Sequence, residues 1–267
     1  MPGNQDDSGG RVNPGVAGLH YAITGGASGF GFAIAQKLVS EGATVTLLGR
    51  RGDVLDAARE KIGRDHAHTL VCDISNTSEV RAAFAQFKTL DGLINNAGVA
   101  RPGAIEALLE DEVRMQVNTN FLGTVFCCQA AIPLLRQNSR NPRIVNISSA
   151  SAWHYDEMSH LSIYASTKAA VERFTRDLRE EVQAYGIGVT CLRPGAAWTS
   201  FSEGWDAETL KSGFEAWLKT GPEMDTGMES THVAAAVAHV LGYPPGVAVD
   251  LLEVRPNQPI HKQLSQG

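Results

Sequence analysis

Short apolar runs with little polar alternation recur along this chain of 267 residues, and longer stretches with helical spacing separate them. A strand that is apolar on both faces is typical of a parallel sheet covered by helices on each side. We therefore predict one doubly wound α/β domain with a mostly parallel sheet of about seven strands. The predicted strands are 19–24, 43–48, 67–72, 92–95, 143–148, 187–193 and 247–254.

Helical spacing fills most of the intervals between these strands. The lead-in, residues 1–18, is rich in Gly, Pro, Asn and Asp, which predicts a flexible segment before a single domain over 19–267. Segment 196–230 mixes Trp, Phe and Met with Gly and polar residues, and we interpret it as the irregular part of the fold. The predicted helices are 29–41, 52–62, 80–87, 110–137 and 163–185.

Charge and composition disfavour several classes of partner. The formal net charge is −6, whereas nucleic acids and anionic membrane surfaces are usually bound by basic faces. No apolar run approaches the roughly 18–20 residues of a membrane span, and the N-terminus lacks the regions of a signal peptide. The four cysteines, none at CxxC spacing, indicate neither a zinc site nor a disulfide framework. We expect a cytoplasmic protein without a metal centre.

Glycines cluster in the turn after the first predicted strand, with the sequence TGGASGFG at 24–31. Small residues let the backbone approach a pyrophosphate, and the N-terminus of the following helix favours its negative charge. The alternative interpretation is a tight strand-to-helix turn without a ligand. The position on the first strand of a βαβ series favours nucleotide binding.

Tyr164 is one of only five tyrosines, and it stands four residues ahead of Lys168. A helix places residues at this spacing on one face. Taken alone, the pair is either surface decoration or an acid–base couple.

Five short motifs occur in a fixed order, and each of them is weak when taken alone. They are TGxxxGxG at 24–31, NNAG at 95–98, NISS at 146–149, YxxxK at 164–168 and PG at 194–195. Together they resemble the single-domain short-chain dehydrogenase/reductase family over nearly the whole chain. The resemblance implies a Rossmann-like fold and a nicotinamide-dependent oxidoreductase that interconverts an alcohol and a ketone.

The resemblance makes Tyr164 the general acid/base that exchanges a proton with the substrate oxygen. A free tyrosine has a pKa of about 10, which is too high for efficient proton exchange at neutral pH. The ammonium of Lys168 is expected to lower that pKa by about 3 units, which corresponds to roughly 4 kcal/mol. In the family the lysine also binds the nicotinamide ribose.

Two further catalytic positions follow from the resemblance. Ser149 matches the serine that hydrogen-bonds the substrate oxygen, and Ser151, which stands at the commoner interval from the tyrosine, is the alternative. Asn120 matches the asparagine that holds a water in the proton relay to the lysine, and Asn118 is the nearby alternative.

The residues after the second strand bear on the choice of nicotinamide cofactor. An acidic residue there binds the ribose 2′-hydroxyl of NAD, whereas an arginine accommodates the 2′-phosphate of NADP. Here Arg50 and Arg51 follow the strand and no carboxylate takes their place, which favours NADP(H). The alternative is NAD(H), with both arginines at a solvated helix start.

The remaining cofactor contacts are also implied by the resemblance. Asp73 matches an aspartate that touches the adenine amino group, although its sequence context equally suits a helix cap. Thr199 matches a threonine near the nicotinamide amide and the phosphates. The other expected cofactor-binding residues, besides Tyr164 and Lys168, are Thr24, Gly25, Ser28, Gly29, Phe30, Gly31, Ile74, Asn96, Ala97, Gly98, Pro194 and Gly195.

Segment 196–230 lies where the family places its substrate lid, and its apolar side chains suit an apolar or aromatic ketone or alcohol. The alternative is that these side chains pack the lid against the body of the protein or against a neighbouring subunit. We assign no catalytic role to His154, Tyr155 or His160. The rival functions are a non-redox enzyme on the same fold and a regulator that holds NADP(H) without turnover. The resemblance also suggests a homotetramer or dimer, formed partly by the long helices.

Overall fold

A seven-stranded parallel sheet forms the centre of the protein in a computed structural model, which describes residues 15–153, 160–197, 205, 207–219 and 224–260. Its strands are β1 (His20–Thr24), β2 (Thr44–Gly49), β3 (Ala67–Val71), β4 (Gly92–Asn95), β5 (Arg143–Ile147), β6 (Gly188–Pro194) and β8 (Leu251–Val254), whereas β7 (Met224–Asp225) and β9 (Pro259–Ile260) form a separate antiparallel pair. The strand order in the large sheet is β3-β2-β1-β4-β5-β6-β8, and every neighbouring pair is parallel. The predicted doubly wound fold of about seven strands is therefore confirmed.

Eight helices cross over between or beside the strands in the described part of the chain. They are α1 (Gly29–Ser40), α2 (Gly52–Ile62), α3 (Thr77–Phe84), α4 (Glu110–Val117), α5 (Gly123–Asn138), α6 (Ser162–Val182), α7 (Ala207–Lys219) and α8 (Ser230–Leu241). Apolar side chains of α1, α2 and α8 cover one face of the sheet, whereas those of α3, α5 and α6 cover the other. Burial on both faces explains why the strands lack polar alternation.

The direction of the strand order reverses between β1 and β4, because β2 follows β1 on one side and β4 lies on the other. In open parallel sheets such a reversal leaves a crevice at the carboxyl ends of the strands, where ligands bind. The glycine-rich turn follows β1 and the NNAG motif follows β4. The fold therefore brings these two motifs to one place.

The structure departs from the sequence prediction in three helical regions. The helix predicted over 110–137 is interrupted by a π-helical turn, Asn118–Leu122, between α4 and α5. Segment 196–230 contains α7, and the following α8 packs against α1. Both helices escaped the prediction because glycine and polar residues obscure the start of α7, while α8 is apolar on almost every face.

Two predicted boundaries also differ. Val16, expected in the flexible lead-in, is 1% exposed, and Gly18 N–H donates to the Gly42 carbonyl oxygen at 2.8 Å. The packed chain thus begins by residue 15, while residues 1–14 lie outside the described ranges. The last strand of the sheet begins at Leu251 rather than at 247, because a turn in which Val247 N–H bonds to Pro244 precedes it.

Among the helices in the described ranges, none combines the length and the apolar character needed to span a bilayer.

We expect Ile94→Ala, in the central strand β4, to reduce the free energy of unfolding by about 2–5 kcal/mol, because Ile94 is fully buried and truncation leaves a cavity. The matched control is Val71→Ala in the edge strand β3, where the side chain is 63% exposed and the loss should stay near 0.5 kcal/mol, as is usual at a surface position. Urea denaturation measures both values. Equal losses in the two variants would contradict the central position of β4.

Candidate active site

The turn between β1 and α1 has a shape that only glycine allows at several positions. Gly25 and Gly29 have φ angles of 63° and 51°, in the left-handed region that favours glycine. A Cβ atom on Gly31 would lie 2.2 Å from the Gly25 carbonyl oxygen. A turn without side chains at these positions lets phosphate groups approach the backbone closely.

The N-terminus of α1 is suited to an anion. Ser28 occupies the N-cap position, but its side chain caps no backbone N–H, and the first turn contains no acidic residue. The first N–H groups of the helix therefore have no side-chain acceptor and can donate to a negatively charged ligand. Phe30, the second residue of α1, packs against the core on this side of the sheet.

Thr24 and Asn96 hold the two motifs of the crevice together. The Thr24 hydroxyl oxygen accepts hydrogen bonds from the backbone N–H groups of Asn96 and Ala97, both at 3.0 Å. The Asn96 side-chain amide donates to the carbonyl oxygens of Thr24 at 3.0 Å and Gly25 at 3.2 Å. The glycine-rich turn is thus fixed to the end of β4 by side chains from both motifs.

Tyr164 and Lys168 lie on one face of α6, as their spacing predicts. Both are buried, with exposed fractions of 9% and 4%. Lys168 Nζ lies 5.8 Å from the centroid of the Tyr164 ring and donates a hydrogen bond to the Ile147 carbonyl oxygen at 2.8 Å. The surface interpretation of the pair is therefore excluded.

Burial shifts the two titratable groups in opposite directions. Desolvation raises the pKa of Tyr164 to about 12, although a hydrogen bond with the Ser149 side chain lowers it in part. Desolvation lowers the pKa of Lys168 to about 8. The expected depression of the Tyr164 pKa by Lys168 is not found, because desolvation of the buried phenol is the largest influence on that pKa.

Ser149 is the serine that contacts Tyr164, through that side-chain hydrogen bond. It precedes a short 3₁₀ turn, Ala150–Ala152, and its hydroxyl oxygen accepts from the backbone N–H of Ser151 at 3.2 Å. The Ser151 hydroxyl in turn donates to Ser149 Oγ at 2.9 Å. Ser149 is therefore in contact with both the Tyr164 phenol and the Ser151 hydroxyl.

Asn120 lies in the π-helical turn and is 1% exposed, whereas the alternative, Asn118, is exposed. The Asn120 side chain forms two hydrogen bonds of 2.8 Å with the backbone N–H and carbonyl of Val99 and donates to Thr167 Oγ1 at 3.0 Å. Gly98 stands between Asn120 and Lys168, since a Cβ there would lie 3.5 Å from Asn120 Oδ1 and 3.3 Å from Lys168 Nζ. The π turn thus brings Asn120 close to the lysine, and such turns are frequent at functional sites.

The structure adds three residues that the sequence did not single out. Glu172, one helical turn after Lys168, accepts a hydrogen bond from the Ser148 hydroxyl at 2.8 Å. Its carboxylate also pairs with the guanidinium of Arg193, whose Nε lies 2.7 Å away. We call Ser148, Glu172 and Arg193 the Glu172 network. Glu172 is 24 positions from Ser148 and 21 from Arg193 in sequence, so no local motif reveals the network.

The two arginines after β2 are exposed. Arg51 is the N-cap residue of α2, and its carbonyl oxygen accepts from Leu55 N–H at 3.0 Å. The side chains of Arg50 and Arg51 make no hydrogen bond or ion pair with the residues that the structure describes. Both guanidinium groups are therefore free to bind an anion at the carboxyl edge of the sheet.

Other predicted cofactor contacts have partners within the protein. The Asp73 carboxylate accepts from the N–H and hydroxyl of Ser75, at 2.9 and 2.7 Å, and so stabilises the turn after β3. Ile74 is 5% exposed. Gly195, after Pro194 at the end of β6, donates its N–H to the Val254 carbonyl oxygen at 2.8 Å. Thr199 lies outside the described residues.

An apolar wall adjoins the Tyr164 ring. Ala100, Leu161 and Trp217 are buried together with Tyr164, and Trp205 packs against this cluster. The Trp205 indole N–H donates to the Ala100 carbonyl oxygen at 3.0 Å, which attaches the segment before α7 to the loop after β4.

His160 is the histidine of this region that the structure describes. His160 has a φ of 65°, and its carbonyl oxygen accepts from Gly103 N–H at 2.9 Å. His154 and Tyr155 lie outside the described residues. Within the ranges that are described, no group of three or more His, Cys, Asp or Glu side chains is placed to hold a metal ion.

The chain is similar in sequence to known oxidoreductases. Residues 20–209 match the family described as short chain dehydrogenase. An uncharacterized oxidoreductase of Staphylococcus aureus (strain N315) is 31% identical over 238 residues, covering 88% of this chain and 95% of that protein. A 3-ketodihydrosphingosine reductase of Bacteroides thetaiotaomicron is 37% identical over 185 residues, covering 68% of this chain and 65% of that protein.

A solved structure shows the same fold. The 3-ketoacyl-(acyl-carrier-protein) reductase from Brucella melitensis, complexed with NADH, is 26% identical to this chain with a TM-score of 0.76. The superposition covers 92% of this chain and 100% of that one.

We expect the unfolding free energy of the ligand-free protein to rise by about 2 kcal/mol between pH 7 and pH 9.5, relative to Lys168→Met. The folded-state pKa of Lys168 is about 8 and its ordinary value is 10.5, so the unfolded state binds the extra proton in this interval. The penalty for burying the charge is complete below pH 8 and is lost as the pH rises. Urea denaturation of both proteins at each pH measures the effect, and a difference that does not change with pH would contradict it.

Proposed function

Because the chain belongs to the short-chain dehydrogenase/reductase family, we propose that it is an NADP(H)-dependent oxidoreductase that interconverts a secondary alcohol and a ketone on an apolar or aromatic small molecule. The observation that carries the proposal is the buried Tyr164 phenol, which is hydrogen-bonded to Ser149 and lies one helical turn from Lys168. A proton donor, a polar group for the substrate oxygen and a cation thus meet at the carboxyl edge of the sheet.

The chain's own residues supply proton transfer and orientation. Tyr164 gives its proton to the substrate oxygen during reduction and removes it during oxidation, while the Ser149 hydroxyl holds that oxygen beside the phenol. With a pKa of about 12 the phenol is protonated at neutral pH but is a weak acid, so the proton transfer needs the assistance of Lys168. Lys168 stabilises the phenolate that remains after the transfer.

The glycine-rich turn and the N-terminus of α1 fit a dinucleotide. Gly25, Gly29 and Gly31 give the turn its tight shape, and the N–H groups of α1 that no side chain caps would donate to a pyrophosphate. The bound nicotinamide supplies or accepts the hydride, and the protein positions it. Asn96 keeps the turn in place and Asn120 holds the relay water toward Lys168.

The choice of NADP(H) rests on Arg50 and Arg51. Their guanidinium groups are exposed after β2, without a partner in the described structure, and such groups bind phosphate bidentately. The Brucella relative was solved with NADH, which favours an NAD-dependent alcohol dehydrogenase as the second candidate.

The apolar wall of Ala100, Leu161 and Trp217 supports an apolar substrate, since it offers no charged side chain to the group beside the Tyr164 ring. The name of the Bacteroides relative, a reductase of a 3-keto compound, is consistent with a ketone. Segment 196–230 then acts as the substrate lid, and α7 belongs to it.

We expect Tyr164→Phe to lower kcat by at least about 100-fold, because the ring remains but the proton donor is lost. NADPH binding should stay within about twofold of the wild type, which is about 0.4 kcal/mol, because the glycine-rich turn and both arginines are unaltered. Steady-state kinetics with apolar ketones and NADPH fluorescence measure the two quantities. Tyr185→Phe, on a ring that is 43% exposed, is the matched control and should change neither. Unchanged turnover in Tyr164→Phe would exclude the mechanism.

Parallel titrations with NADPH and NADH test the cofactor assignment. Arg50→Ala should weaken NADPH binding by about tenfold or more while leaving NADH binding unchanged, because one charge-assisted contact with the 2′-phosphate is lost. Arg176→Ala, which removes an exposed arginine in the distal half of α6, is the control. Tighter binding of NADH by the wild type would establish the second candidate instead.

A further inference from the structure

A largely buried charge network lies one helical turn beyond Lys168 on α6. Glu172 is 9% exposed, and its carboxylate accepts hydrogen bonds from the Ser148 hydroxyl and from Arg193. Arg193 also lies within 3.7 Å of the Glu253 carboxylate in β8. The Glu172 network therefore connects the residue after β5 with α6 and β6 through side chains, and Glu253 extends the connection to β8.

Each member of this network is next to a residue of the candidate active site. Ser148 immediately precedes Ser149, and Arg193 immediately precedes Pro194 at the end of β6. Glu172 follows Lys168 by one helical turn, and the Ser148 hydroxyl also lies 3.3 Å from the Lys168 carbonyl oxygen. A shift of Glu172 relative to Ser148 would therefore move Ser149 relative to Tyr164.

Stability alone does not explain a buried ion pair at this position. Burying two charges requires their desolvation, and replacing such a pair with apolar residues of similar volume is often neutral or stabilising. A pair with fixed hydrogen-bond geometry, by contrast, sets the register between the elements that carry it. Proton transfer from Tyr164 to an oxygen held by Ser149 is sensitive to displacements of about 1 Å or less.

We propose that Glu172 is a positioning residue, which sets the distance between Ser149 and Tyr164 by accepting the Ser148 hydroxyl hydrogen bond while Arg193 holds its carboxylate in place. The proposal rests on the function proposed above for Tyr164 and Ser149. Glu172 itself touches neither the substrate nor the cofactor; its effect reaches the reaction through the backbone of 148–149.

Paired variants separate positioning from general loosening of the interface between β5 and α6. Ser148→Ala removes the hydroxyl that bonds to Glu172. Thr175→Val is the matched control, because the Thr175 hydroxyl is also buried at this interface, where it accepts from Asn146 Nδ2 at 2.9 Å. We expect Ser148→Ala to lower kcat by about tenfold with KM and NADPH affinity nearly unchanged, and Thr175→Val to leave kcat unaltered.

A second measurement does not depend on turnover. With 3-fluorotyrosine at position 164, the ¹⁹F resonance reports the surroundings of the phenol in the ligand-free protein. We expect Ser148→Ala to shift this resonance by more than its linewidth and Thr175→Val to leave it in place. Glu172→Asp, which keeps the charge but withdraws it from Ser148, should reproduce the Ser148→Ala shift and provides the test if that variant does not fold.

Two results would overturn the proposal: an unchanged resonance and kcat in Ser148→Ala, or equal changes in Ser148→Ala and Thr175→Val. If the wild type turns over no alcohol or ketone, the proposed function fails, and the resonance alone then decides whether Glu172 positions Ser149 against Tyr164.

Discussion

The hydrogen bond from Lys168 Nζ to the Ile147 carbonyl oxygen is the contact on which the arrangement of the site depends. It joins a buried ammonium on α6 to the last residue of β5. A buried cation requires a nearby acceptor, because an unsatisfied charge in the interior is far more costly than a satisfied one. Lys168 therefore fixes α6 to the carboxyl end of β5.

The cofactor side of the crevice is organised by neutral groups instead. Thr24 and Asn96 satisfy backbone groups of both motifs, so hydrogen bonds within the protein hold the glycine-rich turn in shape. The turn contributes little side-chain packing of its own, and its order comes from β4. A preformed turn reduces the ordering that binding would otherwise require, which is the advantage of preorganisation.

The sequence predicted the sheet, the glycine-rich turn and the YxxxK pair because each is a local pattern. Apolar runs report burial on both faces, and the glycine spacing reports backbone shape. The Glu172 network, the interruption of the helix at Asn118–Leu122 and the attachment of Trp205 to Ala100 were not predicted. They depend on side chains that are distant in sequence, where periodicity carries no information about pairing. The direction of the Tyr164 pKa shift was missed for the same reason, since desolvation is a property of the packed protein.

The π-helical turn also determines which side of α5 faces the core. Cys128 is twelve positions after Gln116. At about 100° per position, an uninterrupted α-helix would place the two side chains about 120° apart around its axis. The wider turn accommodates one additional residue, so the two side chains lie within about 20° of each other. Both are almost fully buried. If the helix straightened while every residue was kept, Gln116 and Cys128 would lie about 120° apart and one of them would turn out of the core, so the extra residue at 118–122 can be accommodated only by the wider turn.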